Sequence, residues 1–349
     1  MSVQEIEYPE FFDSLDEIAP PCAATSLIGH EPSMEQIFSA ISGGHHALIL
    51  DGERGIGKAT AAFLTANAVL GDVSLTGAQT LYSCDSGSTT YRQIAQNVHP
   101  NMLYLTRPKK DDGKGFKTVI TVDEVRRLQR FLGMTSSAGE KRVIIIDGLG
   151  DMNRNAANAV LKLLEEPPVN TLFLLVCHGL GGILPTIRSR CQVVRFQPLD
   201  DAQVRAVLDM AAGSILDADQ LPQLTALSGG SVRYALLMAL NGGLELKENL
   251  DAFLNADQFD TARAHKLADV AGARGSDTHN ILLRHMMFEA IQQAAIQAAN
   301  NGNIHRAAQI ARFDEEFGER AHIADGFNLD RKQEFLIMAN KVHSLLHTA

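Results

Sequence analysis

Paired cysteines are missing from this chain. Its four cysteines, Cys22, Cys84, Cys177 and Cys191, never form a C-x-x-C pair. That spacing suits neither a zinc knuckle nor a disulfide scaffold, so reduced thiols in a cytoplasm are expected. No apolar run approaches the roughly 20 residues that span a bilayer, and no membrane contact is expected. The opening MSVQEIEYPEFFDSLDE is acidic and lacks a basic stretch followed by an apolar one, so no secretory signal is read there. The twelve histidines include no H-E-x-x-H, and no G-x-S-x-G nucleophile elbow occurs. His45 and His46 read as turn residues, and His99 and His178 as strand-edge residues filling local hydrogen bonds. Excess positive charge is also missing, the formal net charge being −10. Bulk electrostatics therefore give this chain alone no hold on nucleic acid, while a local basic patch or an assembly remains open.

What is present is an alternation. The 349 residues, 45% hydrophobic, suffice for two or three domains with real cores. Short apolar runs at Ala47–Leu50, Met102–Leu105, Val143–Ile146, Leu172–Val176 and Gln192–Phe196 are separated by helical patterns. Such runs suit strands buried on both faces, as in a parallel sheet. Thr121 and Glu124 are spaced as a capping box before a stripe of Val125, Leu128 and Leu132. A helix from about Ala156 to Glu166 stops at Pro167-Pro168. Asp111–Gly115 reads as an exposed loop. After residue 200 the strand-like runs cease, and Asn241-Gly242-Gly243 suggests a boundary. The division expected is 1–200, an α/β P-loop domain with a parallel sheet; 201–243, a small helical lid; and 244–349, an all-α domain. A last helix after Asn328 or Asp330 carries Phe335, Met338, Ala339, Val342 and Leu345 on one face, either internal core or a seam against other chains.

The segment 52-GERGIGKAT-60 carries the chemistry. A strand, then G-x-x-x-x-G-K, then a helix aims backbone N–H groups and a helix N-terminus at one point, where phosphate binds. Lys58 adds a point charge. The next residue should be a hydroxyl that holds magnesium; it is Ala59, and Thr60 comes one place late. The candidate residues are Gly52, Gly55, Gly57, Lys58 and Thr60, with Asp147 at the end of VIIID and Arg233 early in a helix after Ser228-Gly229-Gly230. Gly148 follows Asp147 and can neither take a proton nor orient water. ATP or ADP is expected to bind weakly or not at all. In PTIRSRC, Arg190 lies between two strand candidates, placed to project from the domain edge. Arg126, Arg127 and Arg130 share a helix that offers either backbone contacts to DNA or a solvated face.

Together, LIGHE (27–31), GERGIGKAT (52–60), HPNMLYL (99–105), TVDEVRRL (121–128) and the run from NAANAVLKLLEEPP to IRSRC (155–191) resemble the clamp-loader branch of the AAA+ ATPases. The similarity covers roughly residues 20 to 240 well and is thin beyond, apart from NLDRKQ (328–333). It implies a nucleotide-binding-type domain, a lid and a helical collar. It also implies membership of a bacterial DNA polymerase III clamp loader, with delta and gamma/tau subunits, the sliding clamp and primer–template DNA, without base specificity, as partners. By the same resemblance Arg190 is the arginine finger of a neighbouring subunit's ATP site, catalytic in trans. Ala59, Gly148 and Cys177-His178 depart from the motor pattern and favour a non-hydrolysing subunit; the alternative is an ATP-hydrolysing gamma/tau-type motor or another P-loop ATPase. Relatives with four close cysteines before the equivalent of His99 bind zinc; only Cys84 lies there, and no zinc is expected.

Overall fold

The computed structural model describes residues 8–71, 82–113, 115–134, 140–213, 215–273, 277–327 and 329–347. These form two compact units, 1–233 and 234–349.

The first unit is built on one parallel sheet. Its strands are β1 (Ala47–Asp51), β2 (Met102–Leu105), β3 (Arg142–Asp147), β4 (Thr171–Cys177) and β5 (Gln192–Arg195), in the order β2-β3-β4-β1-β5. Each apolar run is therefore a strand; β1, β3 and β4 extend a residue or two beyond their runs, and β5 stops one short, at Arg195. All neighbours are parallel, so every strand needs a crossover, and helices cover both faces.

The period of two divides the side chains. Leu48, Leu50, Val143, Ile145, Leu174 and Val176 face one way, against Met34 and Ile37 of α1 (Glu31–Ser42) and Phe63 and Ala66 of α2 (Lys58–Leu70). Ala47, Ile49, Ile144, Ile146, Phe173 and Leu175 face the other, against Val125, Leu128 and Phe131 of α4 (Val122–Gly133) and Val160 and Leu164 of α5 (Arg154–Glu165). The short α3 (Thr89–Ala95) lies between α2 and β2 in the chain. The strand runs look uniformly apolar because both faces are covered.

Two local expectations are corrected. No side-chain cap forms at Thr121; Glu124 instead pairs with Arg127 at 2.5 Å, an i,i+3 ion pair that removes its carboxylate from the cap. His46 does more than fill a turn, since its Nε2 meets the Leu164 carbonyl at 3.1 Å and joins the start of β1 to the end of α5.

Beyond β5 the first unit continues through α7 (Asp201–Ala212), which opens with a capping box of Asp200 and Gln203, α8 (Leu221–Leu227), and the start of α9 (Val232–Leu240). Before β5 sits α6 (Pro185–Arg188).

Among the described residues the elements of the second unit are all helices: α10 (Gly243–Leu254), α11 (Thr261–Gly272), α12 (Asp277–Asn300), α13 (Ile304–Phe327) and α14 (Arg331–His347) follow the rest of α9. The apolar face of α14 is internal. Phe335, Met338, Ala339 and Val342 are buried, and α11 packs against this helix with Ala264, Leu267, Ala268 and Ala271 buried. Small residues on α11 permit close approach of the two helices. Arg320 adds a bidentate pair with Glu334, at 2.5 and 2.9 Å. The start of the expected last segment, Asn328, lies outside the described residues.

Candidate functional site

The glycine loop joins β1 to α2 at the C-terminal edge of the sheet, where ligands bind in open parallel α/β folds. Gly55 has φ +81°, a left-handed conformation. A Cβ there would lie 2.4 Å from the Arg233 Cβ and 2.5 Å from the Ser231 Oγ. Only glycine lets the loop meet the start of α9 so closely. Two hydrogen bonds use that approach: Ser231 Oγ donates to the Arg54 carbonyl at 2.8 Å, and the Arg233 amide donates to the Gly55 carbonyl at 3.3 Å. On the other side, His30 meets the Ile56 carbonyl at 2.5 Å. A carbonyl only accepts, so Nε2 carries the proton.

The structure brings Gly52, Gly55, Gly57, Lys58, Asp147 and Arg233 into one neighbourhood, yet its charges answer one another. Lys58 is buried, and its ammonium donates to the carbonyls of Gly52, at 2.6 Å, and Glu53 within its own loop. Burial pulls its pKa down to about 8, against the opposing fields of Asp147, Cys177 and Asp51. Asp147 accepts a hydrogen bond from the Tyr104 hydroxyl at 2.9 Å, and burial holds its carboxyl above the usual range. Thr60 lies in the first turn of α2, partly buried, one place beyond Ala59.

Residues outside the recognised motif positions complete the arrangement. Arg107 grips Asp151 with two 2.7 Å hydrogen bonds. Arg54 and Arg233 both pair with Asp13, from the acidic segment before α1. One Asp51 carboxylate oxygen, at the end of β1, is buried without a hydrogen-bond partner. The available signal was the acidic-aromatic string EFFDSLDE (10–17) and an arginine inside the glycine loop; neither matches a motif. As arranged, these residues do not fit a magnesium polyphosphate: the lysine is turned onto the loop, a methyl stands at the metal-holding place, and the aspartate is bonded to a tyrosine.

Lys58 gives a pH test. Its native pKa lies below the ordinary lysine value of 10.5. Below about pH 8 both states are protonated and the burial cost is fully present. Between about 8 and 10.5 the unfolded chain holds a proton that the native chain has shed, so stability rises with pH. The unfolding free energy of the wild type should therefore gain on that of Lys58→Met across this window, by up to on the order of 3 kcal/mol. Urea unfolding followed by far-UV circular dichroism reads this; a pH-independent difference would contradict it.

Arg190 is elsewhere. In the parallel register Gln192 of β5 lies beside Leu48 and Arg195 beside Asp51. Arg190 precedes that pairing, so it belongs to the N-terminal edge of the sheet, while Gly52 follows Asp51 at the C-terminal edge. Four residue steps, from 48 to 52, separate the two levels by roughly 13 Å. The guanidinium donates to the Thr186 carbonyl at 2.9 Å and pairs with Glu165 at 2.7 Å, and the side chain remains 35% exposed. Arg126 and Arg127 are exposed and paired with Asp123 and Glu124, at 2.5 Å each. Cys84 lies 3.8 Å from the Ala24 carbonyl, and among the described residues no three His, Cys, Asp or Glu side chains gather to hold a metal.

Residues 33–200 match the family model described as DNA polymerase III, delta subunit. The DNA polymerase III subunit delta' of Pseudomonas aeruginosa is 37% identical over 189 residues, 53% of this chain and 53% of that protein. The subunit delta' of Bacillus subtilis is 32% identical over 182 residues, 52% of this chain and 49% of its own.

Over residues 33–200 this chain is similar to the delta-type subunits of DNA polymerase III.

The match spans about half the length of these relatives. The subunit tau of Escherichia coli aligns more widely but less closely, 25% identical over 314 residues, 83% of this chain and 47% of that protein. The strand order and the glycine loop after β1 agree with the AAA+ fold expected of the family.

Proposed function

We propose that this chain is a non-hydrolysing subunit of the replicative clamp loader, a scaffold that lends Arg190 to a neighbouring motor's ATP site. Its partners on this reading are delta and gamma/tau subunits and, through them, the sliding clamp and primed DNA. The observation that supports it most is the separation of Arg190 from the glycine loop: a cation at the opposite sheet edge is out of reach of its own loop and free to serve another molecule's. Glu165 holds the guanidinium at the surface, where a phosphate can take it over. The state of the loop supports the other half. Position 59 offers no hydroxyl for magnesium, and position 148 offers no side chain to act on water.

Co-purification with candidate delta and gamma/tau chains, followed by ATP turnover with clamp and primed DNA, tests the proposal. The lone chain should show no turnover, and Lys58→Ala should leave the rate of the assembly unchanged within twofold. Turnover by the lone chain that Lys58→Ala abolishes would identify a motor instead.

A further inference from the structure

The segment before α1 lies across the glycine loop, and its contacts are too varied for a passing tail. Asp13 sits at φ +78°, a left-handed conformation that aspartate tolerates at some cost. From there its carboxylate accepts from Arg54 Nε at 3.1 Å and from Arg54 Nη2, and lies 3.3 Å from Arg233. Its backbone carbonyl accepts a further bond from Arg233, at 2.5 Å. Phe12 lies under two guanidiniums, with Arg107 at 4.4 Å and Arg54 at 5.5 Å from the ring centre. Phe11 packs edge-on to Tyr104 at 4.7 Å, the tyrosine whose hydroxyl holds Asp147. Glu10 pairs with Lys109 at 2.6 Å.

We infer that residues 10–13 are an intramolecular occupant of the degenerate nucleotide pocket, with the Asp13 carboxylate in place of a nucleotide's phosphate charge. Arg54 on the loop and Arg233 at the start of α9 converge on one point, and an anion is what such a pair recognises. The chain supplies that anion itself. An adenine nucleotide entering here competes with the strap, and its apparent affinity falls by the fraction of molecules in which the strap is displaced. The loss of nucleotide chemistry thus has two layers, the substitutions at 59 and 148 and a segment that closes the space. This inference rests on the loop being degenerate and is independent of the role of Arg190.

The test is fluorescence titration of the full chain with MANT-ADP and with MANT-ATP, in magnesium and in EDTA. The wild type should bind neither below millimolar concentration. Phe12→Ala/Asp13→Asn, which removes the ring and the charge but keeps a residue tolerant of the left-handed backbone, should bind at least ~10-fold more tightly. Asp13→Gly relieves the backbone and deletes the carboxylate; it is the second variant should the first fail to keep the wild-type circular dichroism spectrum. Folded variants that bind no better than wild type, or a wild type that already binds at micromolar concentration, overturn the inference. Neither result touches the finger, whose loss is read from Arg190 in the assembly.

Discussion

On the proposed reading, Arg190→Ala should abolish ATP turnover at the neighbouring motor site that its guanidinium would complete, while leaving assembly intact. Arginine fingers contribute roughly 10³–10⁵ in rate by stabilising charge on the transferring phosphoryl group. A loss of at least 10³-fold at that site is expected. In an assembly with several motor sites, the total DNA- and clamp-stimulated rate falls by the share of that site, and single-turnover measurement isolates it. Two controls sharpen the reading. Glu165→Gln breaks the 2.7 Å pair that holds the guanidinium but keeps the guanidinium, so the rate should stay within a few-fold of wild type. Arg190→Lys should not restore the rate, because an ammonium lacks the planar fork that binds phosphate oxygens in pairs. The surface position of Arg190 makes a folding defect an unsatisfying explanation of any loss: substitutions away from buried groups change stability little. An unchanged single-site rate in Arg190→Ala would end the finger assignment.

The second large effect is on stability. Gly55→Val places a β-branched residue at φ +81° and drives a Cβ within 2.4 Å of Arg233. Left-handed strain of about 1–3 kcal/mol and overpacking of about 1–3 kcal/mol add at one site, so a loss of roughly 4 kcal/mol is expected. The relevant contact is between elements, not within the loop. Pushing Arg233 away loses the amide bond to the Gly55 carbonyl and the ion pair with Asp13. The chain has no tryptophan, so far-UV circular dichroism through a urea series is the probe. Two compact units make two transitions possible, and the one that moves belongs to 1–233. A midpoint unchanged from wild type would show that the loop and α9 do not meet as described.

The elements differed in how readily they could be read. Val143–Ile146 is legible because a strand covered on both faces must be apolar at every position, and little else produces four such residues before an aspartate. The stripe of α14 was legible as a stripe but not as core, since periodicity identifies an apolar face and not what covers it. The capping box failed because Glu124 had a second partner, Arg127, three residues on, and spacing cannot rank competing hydrogen bonds. Asp13 was invisible for a related reason. Its partners lie 41 and 220 residues away, and no local pattern encodes a bond that chain folding alone creates.

The sequence by itself determined the alternation of strands and helices, the glycine loop, and the absence of a hydroxyl at 59 and of a carboxylate at 148. These are local properties of side chains and their periods. The tertiary structure alone decided that Lys58 turns inward, that Asp147 is held by Tyr104, that Asp13 closes on two arginines, and that Arg190 stands at the far edge of the sheet. Each depends on distances between residues remote in the chain, and those distances are fixed only when parallel strands come into register and helices pack over both faces.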